Sequence, residues 1–163
     1  MYFSVSKAVL CHALSLVSGV VAKKSTIPVL SNVKLEAAGD TLTVTGSDLD
    51  NALTLGVEAT VDIPGAITLP AKRLQDYARL LPEGDIRFKV GENNWTTITA
   101  GRSRTRIAGM GAECFPTLPA VPDTPFCILA DTFARLIGRV RFAISQEESR
   151  FTLKGALMEI AAG

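Results

Sequence analysis

Ile67-Thr68-Leu69-Pro70-Ala71-Lys72-Arg73-Leu74-Gln75-Asp76-Tyr77-Ala78-Arg79-Leu80-Leu81 runs from a short alternating strand directly into an amphipathic helix. Leu74, Tyr77, Ala78 and Leu81 recur at i, i+3, i+4 and i+7, which places them on one helical face. The arrangement occurs twice more. Phe3-Ser4-Val5 precedes a helix with Leu10, Ala13, Leu14 and Val17, and Phe126-Cys127-Ile128 precedes one with Phe133, Leu136, Ile137 and Val140. The strand anchors Val5, Leu69 and Ile128 lie 64 and 59 residues apart, and each stripe starts five residues after its anchor. A repeat in one register is a stronger fold signal than any single stripe.

Strands fill the intervals. Asn32 to Ala37 and Thr41 to Thr45 alternate apolar and polar residues around Gly39-Asp40, a hairpin signature, and Asn51 to Ala59 continues the meander. Ile86 to Val90, Thr96 to Ala100 and Arg104 to Ala108 repeat the scheme around the turn Gly91-Glu92-Asn93-Asn94. The unit is therefore β-α-β-β-β, and two units predict an α+β domain with helices packed on one face of antiparallel sheet. Gly111 to Thr124, with Pro116, Pro119 and Pro122, reads as a linker. The expected division is a first domain over 1–120 and the truncated start of a second over 121–163. The third unit stops early. Its last eleven residues, Leu153 to Gly163, resemble Leu30 to Gly39, where the first unit goes on into its partner strand, so the chain reads as a fragment of a longer repeat protein.

A chain of 163 residues with 47% hydrophobic and 20% charged residues has ample apolar content for a packed core, which excludes wholesale disorder. Its apolar stretches are short and interrupted, and Met1-Tyr2-Phe3-Ser4 lacks the start of a secretory signal. Cys11, Cys114 and Cys127 form no CxxC pair and read as thiols of a reducing cytosol, so a cytoplasmic location is expected. His12 is the only histidine, and its neighbour Cys11 points in another direction on a helix, so neither a metal site nor a Cys-His nucleophile is expected. Phosphate-loop, GxSxG and HExxH signatures are absent. Ser47-Asp48-Leu49-Asp50 reads as a polar turn capped by aspartate rather than a cation loop, and Glu147-Glu148 as a solvated loop. No cofactor and no enzymatic activity are expected.

The net charge of +1 hides an uneven distribution. Helices read as 6–18, 70–81 and 131–142 carry seven basic residues (Lys7, Lys72, Arg73, Arg79, Arg135, Arg139, Arg141) against Asp76 and Asp131, a net +5. The remaining ten basic and fourteen acidic residues sum to −4. A layer of positive helices backed by a negative sheet suits a protein that faces a polyanion on one side. Lys23-Lys24 can join that face. Arg102, Arg104 and Arg106 alternate onto one side of a strand, suited either to phosphate or to an acidic protein. The helices' polar faces lack the aromatic residues of single-strand binders and any base-reading helix, so sequence-independent phosphate attraction is the expected mode.

Six segments in order then match one family. Thr26-Ile27-Pro28-Val29-Leu30-Ser31-Asn32 resembles its TLPILGN-type segment, and Thr45-Gly46-Ser47-Asp48-Leu49-Asp50 its TGTDLE. Leu69-Pro70-Ala71-Lys72-Arg73 is similar to VPARK, Leu81-Pro82-Glu83-Gly84 to LPEG, Gly101-Arg102-Ser103-Arg104 to GRSR, and Phe115-Pro116-Thr117-Leu118 to FPNL. The chain resembles the bacterial sliding clamp, the β subunit of DNA polymerase III, across nearly all of its length. The resemblance implies the DNA-clamp fold and a head-to-tail homodimer ring of three-domain chains. Helices would line a hole around duplex DNA, and the replicative polymerase and clamp loader would be protein partners.

By the same resemblance, Lys24, Lys72 and Arg73 stand at DNA-contacting positions, as do Glu147, Phe151 and Thr152 in the loop region around Arg150. Arg73, Tyr77, Arg102, Arg104 and Ile107 stand at the subunit interface, and Leu153 at one wall of the pocket for polymerase peptides. The implied activity is that of a non-catalytic processivity factor that tethers a polymerase to its template. The alternative reading is a stand-alone clamp-like module that binds protein without encircling DNA. A small α+β enzyme is disfavoured by the lack of an acid, base or nucleophile constellation.

Overall fold

A computed structural model describes residues 1–22, 26–118, 127–147 and 149–160, with residue 151 described by its backbone alone. It divides into two compact units, Met1–Pro119 and Ala120–Gly163.

In the first unit β1 (Tyr2–Ser6) leads into α1 (Lys7–Val17), followed by β2 (Asn32–Ala38), β3 (Thr41–Ser47), β4 (Ala52–Glu58) and β5 (Thr60–Ile63). Then β6 (Gly65–Pro70) leads into α2 (Ala71–Leu80), β7 (Asp85–Val90), β8 (Trp95–Ala100) and β9 (Ser103–Ala108). The expected repeat is present, and the α+β class with it. The strands fall into two antiparallel sheets, ordered β5-β1-β7-β8-β9 and β4-β3-β2-β6. Each sheet contains the leading strand of the other repeat: β1 pairs with β7, and β6 with β2. The repeats are thus interlocked rather than laid side by side. The short strand β5 has no counterpart in the sequence reading. Ala59 N–H donates to Asp40 O at 3.0 Å, ending the meander, and the next four residues cross to pair with β1.

Alternation in each strand sends one set of side chains into a common core. Phe3 and Val5 of β1, Ile86 and Phe88 of β7, and Ile98 of β8 meet Leu10, Leu14 and Val17 of α1 and Leu74 of α2 in one buried cluster. Phe3 and Phe88 stack with ring centroids 4.7 Å apart. α1 packs on α2, β3 and β4, while α2 packs on β2 and β6, so both helices cover one face of the four-stranded sheet. Its β6 edge is capped. Thr68 and Met110 exchange backbone hydrogen bonds of 2.9 and 3.0 Å, Thr68 Oγ1 donates to Met110 O, and the buried Asn32 amide donates to Thr68 Oγ1.

The second unit holds α3 (Ala130–Val140) and two short 3-10 turns. The sequence predicts a leading strand at 126–128 and a further one near 153–163. Among the described residues neither 127–129 nor 154–160 joins a ladder. The apolar stripe of α3 is also not buried: Phe133, Leu136, Ile137 and Val140 are all exposed. The reason is the one shown by the first unit, where each leading strand is held by strands of the other repeat, and the described part of the second unit contains no such strand.

Candidate nucleic-acid interface

α2 presents the most basic helical surface of the first unit. Its stripe of Ala71, Leu74 and Ala78 is buried, and Tyr77 is half-buried against the core. Lys72, Arg73 and Arg79 are therefore turned to solvent. No acidic residue occupies the first turn of α2, so Lys72 and Arg73 add to the positive end of the helix dipole. Like charges there cost a helix a few tenths of a kcal/mol or more each, roughly, and leave a concentrated positive potential for an anion. Beside them, between α2 and the segment after α1, lies a cavity of about 520 Å³ lined in part by Ser18, Val21, Lys72, Gln75, Asp76 and Arg79. Ser18 Oγ is buried there without a hydrogen-bond partner.

Lys7 does not belong to this surface. Its ammonium pairs with Glu83 at 2.8 Å and is largely covered, which takes one cation out of the helical positive layer. Lys24 lies outside the described residues. In the second unit Arg135 and Arg139 are exposed on α3, Glu147 pairs with Arg150 in the same loop, and Thr152 is exposed. Phe151 contributes its backbone to a 3-10 turn with Thr152 and Leu153. Leu153 is about half exposed.

Among the described residues, β9 is an unpaired edge of the five-stranded sheet. Gly109 N–H donates to Asn94 O at 2.9 Å, which sets the phase of the β8–β9 ladder. In that phase the backbone groups of Arg104, Arg106 and Ala108 point away from β8, towards the open edge. Arg102 lies in the tight turn before β9, and Arg102 and Arg104 are both exposed. Ile107 differs. It is 1% exposed and packs into the core, because its position in the alternation faces inward, so its side chain is not available to a partner. Tyr77 keeps a partly exposed ring, and burial raises its phenol pKa above the ordinary value.

The aspartate turn is as read from the sequence. Asp48 Oδ1 accepts from Asn51 N–H at 2.7 Å and Asp50 N–H at 3.1 Å, and Ser47 Oγ accepts from Leu49 N–H at 3.0 Å. The Asn51 bond leads in holding the Asp48 carboxyl below its ordinary pKa, as expected for a structural cap. Among the described residues no cluster of three metal-ligating side chains occurs, and no helix is long and apolar enough to cross a membrane.

Residues 1–119 match the family described as the DNA polymerase III beta subunit, N-terminal domain. The chain belongs to this family. It is 38% identical to the beta sliding clamp of Pseudomonas putida over 99% of this chain and 44% of that protein. It superposes on the Caulobacter crescentus polymerase III beta structure with a TM-score of 0.89 at 37% identity, covering 95% of this chain and 43% of the other. For the Pseudomonas aeruginosa beta-subunit crystal structure the TM-score is 0.86 at 38% identity, over 95% and 42%. The chain thus spans less than half the length of these beta-subunit relatives.

The sequence reading overlooked Arg87 and Lys89, which are exposed on the outer face of β7. Their signal was present in Asp85-Ile86-Arg87-Phe88-Lys89-Val90, where strict alternation separates two cations from two core residues.

Proposed function

We propose that this chain serves a sliding clamp, a catalytically inert cytoplasmic processivity factor whose ring encircles duplex DNA and tethers the replicative polymerase. The observation that carries the reading is the exposed cationic surface of α2, with its opposite stripe packed on the sheet. Phosphates of any sequence satisfy Lys72, Arg73 and Arg79 equally, so contacts there permit sliding. Ring closure rests on the β9 edge, where outward backbone groups flanked by Arg102 and Arg104 suit strand addition by a second, acidic-lined subunit. Clamp loader and polymerase peptides engage the region that includes Leu153.

Duplex binding by the chain, followed by fluorescence anisotropy between 50 and 200 mM salt, tests the helix face. Each phosphate contact contributes about 0.9 to the slope of log K against log salt, so Lys72→Glu with Arg73→Glu lowers it by about 1.8. A slope that these changes leave unmoved overturns the assignment of DNA contact to α2. Absence of duplex affinity at low salt, with retained binding of an acidic protein at β9, favours the stand-alone interaction module instead.

A further inference from the structure

The outer face of the five-stranded sheet carries four cations, of which the clamp reading uses only Arg104, at the subunit edge. Alternation turns Tyr2 and Ser4 of β1, Arg87 and Lys89 of β7, Thr97 and Thr99 of β8, and Arg104 and Arg106 of β9 away from the core. The ladders then align them. Tyr2 lies opposite Lys89, and Ser4 opposite Arg87. Arg87 lies opposite Thr99, and Lys89 opposite Thr97. Thr99 lies opposite Arg104, and Thr97 opposite Arg106. Neighbouring strands are about 4.8 Å apart, so four cations share a patch about 10 Å wide from β7 to β9.

Those cations lack carboxylate partners. The salt bridges among the described residues are Lys7–Glu83, Lys34–Glu36 and Arg150–Glu147, none of them on this face. Asp85 shares the outer face of β7 with Arg87, opposite Ser6 at the start of the strand, but forms no salt bridge with it, while Asp62 sits on β5 and Glu92 in the turn before β8. A shallow cavity of about 250 Å³ is lined by Tyr2, Arg87, Lys89, Thr97, Thr99 and Arg104. Next to it the Arg106 guanidinium lies 5.1 Å from the ring centroid of Trp95, which is 41% exposed. That contact orders a large aromatic surface before any ligand arrives.

We propose that this sheet face binds single-stranded nucleic acid without sequence preference, holding phosphates at Arg87, Lys89 and Arg104 and stacking bases on Trp95 and Tyr2. Cations interleaved with aromatic rings on an open surface are the chemistry that single strands require. A duplex hides its base faces and gains nothing from Trp95. An acidic peptide would draw its affinity from backbone pairing along one edge strand, whereas these residues run across four strands. The proposal is independent of duplex binding at α2, because the two surfaces share no residue.

Anisotropy of labelled dT20 with the 163-residue chain at 50 and 200 mM salt is the test. Arg87→Glu with Lys89→Glu is expected to weaken binding at least tenfold and to reduce the salt slope by about 1.4, at about 0.7 per phosphate on a single strand. Trp95→Ala is expected to weaken it by roughly 5- to 150-fold, the range for loss of one stacked base. Lys72→Glu with Arg73→Glu should change dT20 binding less than twofold while lowering duplex binding. Melting curves by circular dichroism confirm that these exposed substitutions leave the fold intact. No affinity for dT20, indifference to either sheet variant, or equal competition by duplex or by polyglutamate of the same charge overturns the proposal.

Discussion

At the residue scale, two positions near the β3–β4 connection show how little room the fold leaves. A Cβ built on Gly46 would stand 2.5 Å from Val17 Cγ1 and 2.9 Å from Val21 Cγ2, so α1 can approach β3 only because this side chain is absent. Gly46→Ala should destabilise the first unit by about 1–3 kcal/mol in chemical denaturation, the usual cost of overpacking. Adding Val17→Ala should restore part of the loss, since it removes the methyl in the way. The second position is Asp48, whose folded pKa is lowered by the Asn51 N–H bond. A lowered folded pKa means that the stabilisation is complete above the unfolded pKa and is lost as pH falls through the folded value. Asp48→Ala should therefore lower Tm at pH 7, and thermal melts of the two proteins should converge as the pH drops through the acid range. The cap was readable from Ser47-Asp48-Leu49-Asp50 because its bonds are local. The clearance at Gly46 was not, because Val17 and Val21 are distant in sequence.

At the element scale, β9 separates the two kinds of backbone position on an edge strand. Thr105 faces Ile98 within the ladder, and its N–H and C=O bond to β8, while those of Arg106 point outward. Thr105→Pro should cost at least about 1 kcal/mol more than Arg106→Pro, because only the first removes a ladder hydrogen bond. Urea unfolding of the two variants checks this, and equal losses would contradict the assigned phase. Period-2 alternation foretold β9 itself and the exposure of Arg104 and Arg106. The side chain of Ile107, expected from the resemblance at the subunit interface, instead lies in the core, because its place in the alternation faces inward. For α2, helical periodicity alone identified Lys72, Arg73 and Arg79 as surface. For α1 the same rule counted Lys7 as surface charge. The packing of β7 against β1 sets Glu83 beside Lys7, and a pairing 76 residues apart leaves no local trace.

At the scale of the molecule, the two units differ in how far each buries its own helical stripes. Met1–Pro119 contains both partners of each interlocked repeat, so a chain of residues 1–119 is expected to fold cooperatively by itself, with a thermal midpoint close to that of the 163-residue chain. The α3 stripe of Phe133, Leu136, Ile137 and Val140 is expected to bind 8-anilinonaphthalene sulfonate in the longer chain. Removing residues 120–163 should abolish most of that fluorescence, because the first unit buries its matching stripes. A strong signal from 1–119 would show that its core is less closed than the two sheets and helices imply.

In the first unit the order of elements apart from β5, the repeat and the amphipathic faces follow from sequence alone, since periods of 2 and 3.6 are written in adjacent residues. So does family membership, through six short segments in order. Tertiary structure alone decided the exchange of β1 and β6 between sheets, the crossing of β5, the pairing of Lys7 with Glu83 and the exposure of α3. It also decided where charge accumulates on the sheets. Summed over strands and loops the charge is negative, yet strand pairing gathers Arg87, Lys89, Arg104 and Arg106 onto one face. Composition is indifferent to which strands become neighbours, and that pairing is set by long-range burial of the core rather than by any local preference of the residues that end up side by side.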